Sequence, residues 1–428
     1  MQMAVKILSS ETDVLVMEIT IPLNTAMLEG EQCIEQVLNE AGAVASGELL
    51  TRFDTDGGPI QIGPTKLTSK GQVEKVYQTP YGATRIKRHV YQTSKGGATY
   101  CPLDTYARVL NSATPKLAKM ISHKYSKLSV DEVKTDFRSN HGRALSRGYI
   151  QKVSETVGAV AQAKEEQWHY ATPLLDTSVA TISFGLDGTT IHLRGQGYRE
   201  TMVGTITLYD AEGQRLHTTY IGASPEYGKS TFKHRMEREI DHIKQLYPNA
   251  LYIGVADGAA DNWSFLKSHT SRQVTDFWHA AEYLGEAAEA MFPGKKEKLE
   301  KKAWLDERCH KLKHLKGAAG RILKELNNAL ETIPIRSQSR REKLNKAISY
   351  FTHQKSRMNY YALVAQALPI GSGVTEAACK MIVKQRLCQS GMKWNEKGAS
   401  IILSLRTLER SSRWEQFWGK VSQYGVEC

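Results

Sequence analysis

The sequence predicts an α/β protein of several domains, and three observations carry that prediction. Its 428 residues exceed the size at which one hydrophobic core keeps growing. The apolar periodicity changes along the chain, from short alternating stretches that read as strands to a long region of helical spacing. Three acidic segments, Gly185-Leu186-Asp187-Gly188, Val255-Ala256-Asp257-Gly258 and Gly373-Val374-Thr375-Glu376, each set one carboxylate at a strand end or a helix start. Ligand sites of α/β sheets favour such positions.

Taken in order, residues 28–48 have helix-forming composition, and Asp54-Thr55-Asp56-Gly57-Gly58-Pro59 breaks the pattern. From Ile60 to Val90 the residues alternate in short stretches around a Pro80-Tyr81-Gly82 turn, which predicts a small β-rich module. Helical spacing then runs from Tyr106 to about Ala163. Within it, Ser129 offers an N-cap followed by the acids Asp131 and Glu132, so a short amphipathic helix is expected from Val130 to Phe137. Asn140-His141-Gly142 breaks it, and a second helix starts near Ser146, with Arg147, Tyr149, Gln151 and Lys152 in its opening turns. Helix, glycine-containing turn and helix are the outline of a helix-turn-helix that reads DNA from the start of its second helix.

Strand patterning resumes at Val179 with Ile182, Phe184 and Leu186, then Ile191 and Leu193, then Met202 to Leu208. The turn Asp210-Ala211-Glu212-Gly213 leads to a further strand, Leu216 to Ile221, and a helix over 229–246. Leu251-Tyr252-Ile253-Gly254-Val255-Ala256 is an uninterrupted apolar run, as expected of a strand buried on both faces, and Asp257 ends it. Residues 280–368 are almost entirely helical in character, Pro369-Ile370-Gly371-Ser372-Gly373 closes them, and Glu376 opens a last helix through Lys380, Lys384 and Leu387.

Charge narrows the partner. The chain carries a formal net charge of +12. Residues 291–360 alone hold 18 Lys+Arg against 7 Asp+Glu, which is almost the whole excess. Concentrated basicity predicts a polyanion, because each Lys or Arg that neutralises a phosphate releases condensed counterions. Six cysteines, at 33, 101, 309, 379, 388 and 428, form no Cys-x-x-Cys pair and read as neither a disulfide framework nor a zinc ribbon. Neither Cys309-His310 with His314 nor Cys379 with Cys388 supplies four zinc ligands at compact spacing. No apolar run reaches the ~18 residues needed to span a bilayer. Polar residues from Ser9 onward break any secretory core, so a cytoplasmic location without membrane partners is expected.

Asp187, Asp257 and Glu376, drawn from distant segments, read as one site for a pair of divalent cations. Hard cations such as Mg²⁺ take oxygen ligands, and two of them roughly 3.5–4 Å apart clamp the attacking and leaving oxygens of a phosphoryl displacement. Phe184-Gly185-Leu186-Asp187-Gly188-Thr189, Val255-Ala256-Asp257-Gly258-Ala259, Asp276-Phe277-Trp278-His279 and the block Gly371-Ser372-Gly373-Val374-Thr375-Glu376-Ala377 through Arg386-Leu387, Ser390-Gly391-Met392 and Trp394 carry a family likeness. On these motifs, over nearly its whole length, the chain resembles bacterial insertion-sequence transposases of the DDE class, most closely the Kra group.

The resemblance implies an RNase H-like, mixed-sheet catalytic core whose metal-binding acids are Asp187, Asp257 and Glu376, working with two Mg²⁺ ions or Mn²⁺ in their place. The intervals agree, with 70 residues between Asp187 and Asp257 and 119 between Asp257 and Glu376. An all-α insertion between the second and third acids would explain the longer interval and the basic segment. The expected organisation is an N-terminal strand and helix segment (1–50), a β-rich module (51–110), a helical DNA-binding region (111–170), the first part of the core (171–279), the basic helical insertion (280–368), and the last core helix with its tail (369–428). Asp276, Trp278 and His279 are expected to support the acids or position DNA. Trp278, Trp304 and Trp394 are candidates for base stacking, with core packing expected for two of the three.

Lys380, Lys384, Arg386, Arg147, Lys152, Lys313 and Lys316 are the expected contacts to double-stranded DNA, meaning terminal inverted repeats and target. A homodimer on DNA, associated with the nucleoid, is expected because two ends must be held. Two rival readings remain open: a catalytically silent DNA-binding derivative, and a structure-specific nuclease of the same fold that cuts without joining.

Overall fold

A computed structural model describes residues 4–332 and 337–423. Cys428 and the outermost residues of the first and last expected segments lie outside them, as do four residues of the helical segment. The chain is a mixed α/β protein with several sheets and divides into two compact units. One comprises Met1–Glu165 together with Arg413–Cys428, the other Glu166–Ser412.

In the first unit, a hairpin of β1 (Val5–Ser10) and β2 (Leu15–Ile19) precedes the long helix α1 (Met27–Thr51). A four-stranded antiparallel sheet follows, in the order β3 (Ile60–Ile62), β4 (Thr65–Gln78), β5 (Ala83–Thr93) and β6 (Gly96–Tyr100). Its core gathers Tyr77 and Ile86 with Leu50 of α1 and with Leu103 of the short helix α2 (Pro102–Tyr106). Helical structure is not continuous from Tyr106. Bridge and turn residues 107–114 intervene, with left-handed Arg108, Asn111 and Ser112, before Pro115 opens α3 (Pro115–Lys127).

Helix α4 (Val130–His141) starts with a capping box in which the Ser129 hydroxyl accepts from the Glu132 N–H and the Glu132 carboxylate accepts from the Ser129 N–H. Gly142, at φ 58°, ends it in the left-handed conformation that glycine adopts without strain. Helix α5 (Arg147–Glu165) buries Ile150, Val153 and Val157. Tyr149 does not present itself for reading DNA. It is half-buried, and burial raises its hydroxyl pKa to about 12.

The second unit is built on a five-stranded sheet in the order β11-β10-β7-β8-β9. These strands are β7 (Thr181–Leu193), β8 (Gly197–Tyr209), β9 (Arg215–Gly222), β10 (Leu251–Ala256) and β11 (Arg272–Thr275). The first three form an antiparallel meander, and β10 and β11 run parallel to β7. Strand β7 is a single thirteen-residue strand paired with β8 over its whole length, so Asp187-Gly188 is neither a turn nor a strand end. The ladder hydrogen bonds to β8 hold the backbone extended through a dipeptide that favours turns elsewhere.

Alternation sends Ile182, Phe184 and Leu186 to one face, where they pack with Met236 and Ile240 of α6 (Ser230–Leu246) and Leu266 of α7 (Ala260–His269). Ile253, Val255 and Val274 belong to a different cluster. It includes residues of α8 (Phe277–Met291), α9 (Lys298–His314), α10 (Ala318–Thr332), α11 (Gln338–Gln354) and α12 (Tyr360–Val364).

After α12 the chain returns to the sheet through a helical run of α13 (Gly373–Ala378), a π-helical turn (Cys379–Lys384) and α14 (Gln385–Leu387). Helix α15 (Glu396–Arg410) packs against β9 and ends this unit. Helix α16 (Trp414–Gln423) belongs with the N-terminal unit, where Trp414 meets His123 and Lys119 pairs with Glu415 at 2.5 Å. The tail from Arg413, expected with the last core helix, groups instead with the N-terminal unit, where the Trp414 ring meets that of His123 in α3. Among the described residues, no helix is long and apolar enough to cross a membrane.

Candidate functional site

The site forms where β10 and β11 end beside the middle of β7. In the β7–β10 ladder Gly185 faces Val255, so the next residues of like orientation, Asp187 and Asp257, fall opposite each other at the same offset. In the β10–β11 ladder Ala256 faces Thr275, which sets Asp257 beside Asp276. Adjacent strands lie ~4.8 Å apart, so this register sets Asp187, Asp257 and Asp276 side by side along the backbone. Asp187 is half-buried, and burial raises its carboxyl pKa, as does the Asp257 charge, against bonds from the Gly188 N–H and the Cys379 thiol.

Glu376 reaches the row from α13. The helix lies directly on β7 and β8, because Thr375 and Thr205 share a 2.8 Å hydroxyl bond over Gly185. A methyl group on Gly185 would sit 2.0 Å from Thr375 Oγ1, so only glycine lets the helix approach this closely. The Asp187 and Glu376 charges both act on the buried thiol of Cys379, and burial, the larger influence, pushes that thiol far up. Asp187 and Asp257 thus influence each other, and Asp187 and Glu376 share Cys379 as a neighbour, but among the described residues these three acids do not themselves form a group with ligand atoms within 4.8 Å of one another.

Asp276 is fully buried and caps α8, accepting from the N–H groups of Trp278 and His279. Its other oxygen accepts from the Ser372 N–H at 2.5 Å and from the Ser372 hydroxyl, which also contacts Glu376 Oε1 at 2.9 Å. Asp276 therefore fixes the start of the helix that carries Glu376. Burial alone would raise the Asp276 carboxyl, yet His279, the Ser372 hydroxyl and the backbone N–H groups hold it down at about 2. His279 Nδ1 stands 3.9 Å from Asp276 Oδ2 and 3.7 Å from Glu376 Oε1, too far for a hydrogen bond to either. Asp276 foremost, with Glu282 and Glu376, raises its pKa to about 9 against burial, so it stands as a cation between two carboxylates.

Asp276, His279 and Glu376 offer ligand atoms within 4.8 Å of one another, the one such group among the described residues. Neither the Cys309, His310, His314 set nor the Cys379, Cys388 pair forms one.

Helices between the second and third acids hold the strand ends. The Tyr350 hydroxyl donates to the Asp257 carbonyl at 2.7 Å while its ring stacks on Tyr283, and the Tyr360 hydroxyl donates to the Thr275 carbonyl at 2.8 Å. Gln354 donates to the Gly258 carbonyl and accepts from Thr275. Gly258, at φ 130°, turns the chain away beneath the Tyr350 ring, a conformation that suits glycine alone. The sequence assigns no role to Ser372, Tyr350, Gln354 or Tyr360, and Cys379 is weighed there only as a zinc ligand with Cys388. Ser372 and Cys379 lie in or beside the quoted C-terminal block, whereas the tyrosines and Gln354 act through contacts with no local pattern.

Trp278 is 63% exposed beside the acids, whereas Trp304 packs on Phe292 and Trp394 donates to the Leu387 carbonyl. Lys380 and Lys384 are exposed on the run that follows Glu376. Arg386 is not available to DNA. It is 1% exposed and lies over the Trp394 ring, because two residues past Lys384 is about 200° around a helix, on the inner face. Lys313 is partly buried over the Phe277 ring, and Lys316 is exposed. In the other unit, Arg147 and Lys152 are exposed at the start of α5, with Arg147 paired to Asp131 at 3.3 Å. Comparison with protein-family models and with curated proteins gives no match.

Proposed function

We propose that this chain is a DDE-class transposase of a bacterial insertion sequence, cleaving and joining DNA on an RNase H-like core. The observation that carries the reading is the register that sets Asp187 beside Asp257, with Glu376 held next to them by α13. An antiparallel meander extended by two parallel strands is what an RNase H-like core calls for, and the helical segment between Asp257 and Glu376 reads as its insertion.

The donor set fits hard divalent cations. Asp187, Asp257 and Glu376 offer oxygen, and among the described residues no Lys or Arg forms an ion pair with any of them. Mg²⁺, or Mn²⁺ in its place, bound to these three acids would polarise the scissile phosphodiester and ease deprotonation of water or a 3′-hydroxyl. The protein's own part is placement. Asp276 and Ser372 fix the Glu376 helix, Tyr350 and Gln354 fix the loop after Asp257, and exposed Lys380 and Lys384 offer charge to the DNA backbone. No protein nucleophile is required. The α4–α5 pair, with Arg147 and Lys152 exposed, is the proposed reader of terminal inverted repeats, on a homodimer that holds two ends.

The test is nicking and strand transfer on end-bearing DNA in Mg²⁺ or Mn²⁺. Wild-type protein is expected to nick and to join ends into a target plasmid, while Asp187→Asn, Asp257→Asn and Glu376→Gln lose nicking at least a hundredfold and keep DNA binding. Binding without nicking would favour a silent derivative, and nicking without joining a structure-specific nuclease. A protein–DNA adduct that survives denaturation would overturn the metal-ion reading altogether.

A further inference from the structure

Beside the edge strand β11 lies a cleft of about 570 Å³, lined by Ser271–Val274 on one side and by Ser356, Arg357, Asn359 and residues of α12 on the other. No acidic residue lines it. Two arginines do, and each is held by a neutral partner. Arg272 Nη1 donates to Gln366 Oε1 at 2.8 Å, and Arg357 Nη1 donates to Gln354 Oε1 at 3.2 Å with its guanidinium over the Trp263 ring at 4.7 Å. Among the described residues neither forms an ion pair, so two full positive charges face one opening.

The arrangement is specific in chemistry. A guanidinium carries five donors in a planar fork that matches the oxygens of a phosphate, and stacking on an aromatic ring fixes its plane before any ligand arrives. Single bonds to amide oxygens leave most of those donors free. The Ser356 hydroxyl and the Asn359 amide add neutral polar groups to the same wall. A carboxylate partner would have cancelled the charge; glutamine orients the arginine and leaves the charge in place.

Location gives the cleft a purpose. Gln354, which holds Arg357, also accepts from Thr275 and donates to the Gly258 carbonyl, the residues next to Asp276 and Asp257. One amide side chain therefore separates the cationic wall from the acidic row.

We propose that this cleft is a phosphate-binding site, formed by Arg272 and Arg357, which grips a backbone phosphodiester of the DNA strand held at the carboxylates. The identification of that strand rests on the proposed function; the phosphate chemistry does not. A free phosphorylated ligand shares this chemistry, and the experiment separates the two sources.

The full chain is treated with phenylglyoxal, which modifies accessible arginines, alone or with inorganic phosphate or a short DNA duplex, and labelling is mapped by mass spectrometry. Both Arg272 and Arg357 are expected to be protected severalfold by phosphate and by the duplex. In parallel, R272Q/R357Q is expected to lower the slope of log affinity against log salt for that duplex by about 2, since each neutralised phosphate contributes about 0.9. Protection by phosphate without protection by DNA, and with an unchanged slope, assigns the site to a free phosphorylated ligand and overturns the DNA contact. Labelling unchanged by either probe overturns the site itself. A wild-type protein that fails to nick DNA would sink the transposase reading and leave the protection result standing.

Discussion

At the scale of single residues, Gly185 decides how near the third acid comes to the first. Its missing side chain leaves room for the Thr375–Thr205 bond, and through it for Glu376. Gly185→Ala is expected to destabilise the protein by about 1–3 kcal/mol through overpacking and to abolish nicking. Gly254→Ala is the control, since its methyl group would crowd Leu266, whose side chain packs in a cluster with neither acid. It should cost about as much in a urea melt while nicking survives. The three acids and the Asp276-x-x-His279 pair were legible because each stands in a short quoted motif. Tyr350 and Gln354 were not, because their bonds to Asp257 and Gly258 span 93 and 96 residues and leave no periodic trace. Arg386 was misread for a simpler reason: charge suggested exposure, and a neighbouring indole offered burial.

At the scale of elements, the short helices α3 and α4 are locked by a charge pair. Asp136 lies 2.5 Å from Lys124, and both side chains are mostly buried. Burial raises the Asp136 carboxyl, but the Lys124 ammonium, the Asn140 amide and the His141 charge outweigh it and hold the pKa below its ordinary 3.8. A carboxyl depressed in the folded state adds stability that is complete above its unfolded pKa and vanishes as pH falls through the folded one. Asp136→Asn should therefore remove about 1–2 kcal/mol near neutrality and flatten the loss of urea resistance on acidification below about pH 4. Ser129 and Gly142 announced both ends of α4 in the sequence, since capping chemistry is local. By contrast Asp187 sits within β7 rather than at the expected strand end, because pairing along all of β8 overrides the turn preference of Asp187-Gly188. The π-helical turn after Glu376 left no sign in the composition.

At the scale of the whole molecule, the chain leaves the N-terminal unit at Glu165 and returns at Arg413. Phe417 is fully buried there and Trp414 nearly so. Phe417→Ala is expected to destabilise that unit by about 3–5 kcal/mol. Amide hydrogen exchange should then accelerate in α3 and stay slow in β10. Equal acceleration in α3 and β10 would show that the two units melt as one. Nothing in the sequence linked Trp414 to His123, since the pairing spans the entire acid-bearing unit.

That return path orders the birth of the protein. The segment up to Glu165 leaves the ribosome well before its partner from Arg413 onward, and at ~5–20 residues per second the interval is on the order of tens of seconds. Through that time His123 of α3 lacks the Trp414 ring. A nascent chain stalled or cut before Arg413 would thus carry Asp187, Asp257 and Glu376 and an unfinished N-terminal unit, so that unit closes only once the segment beyond Arg413 has been made.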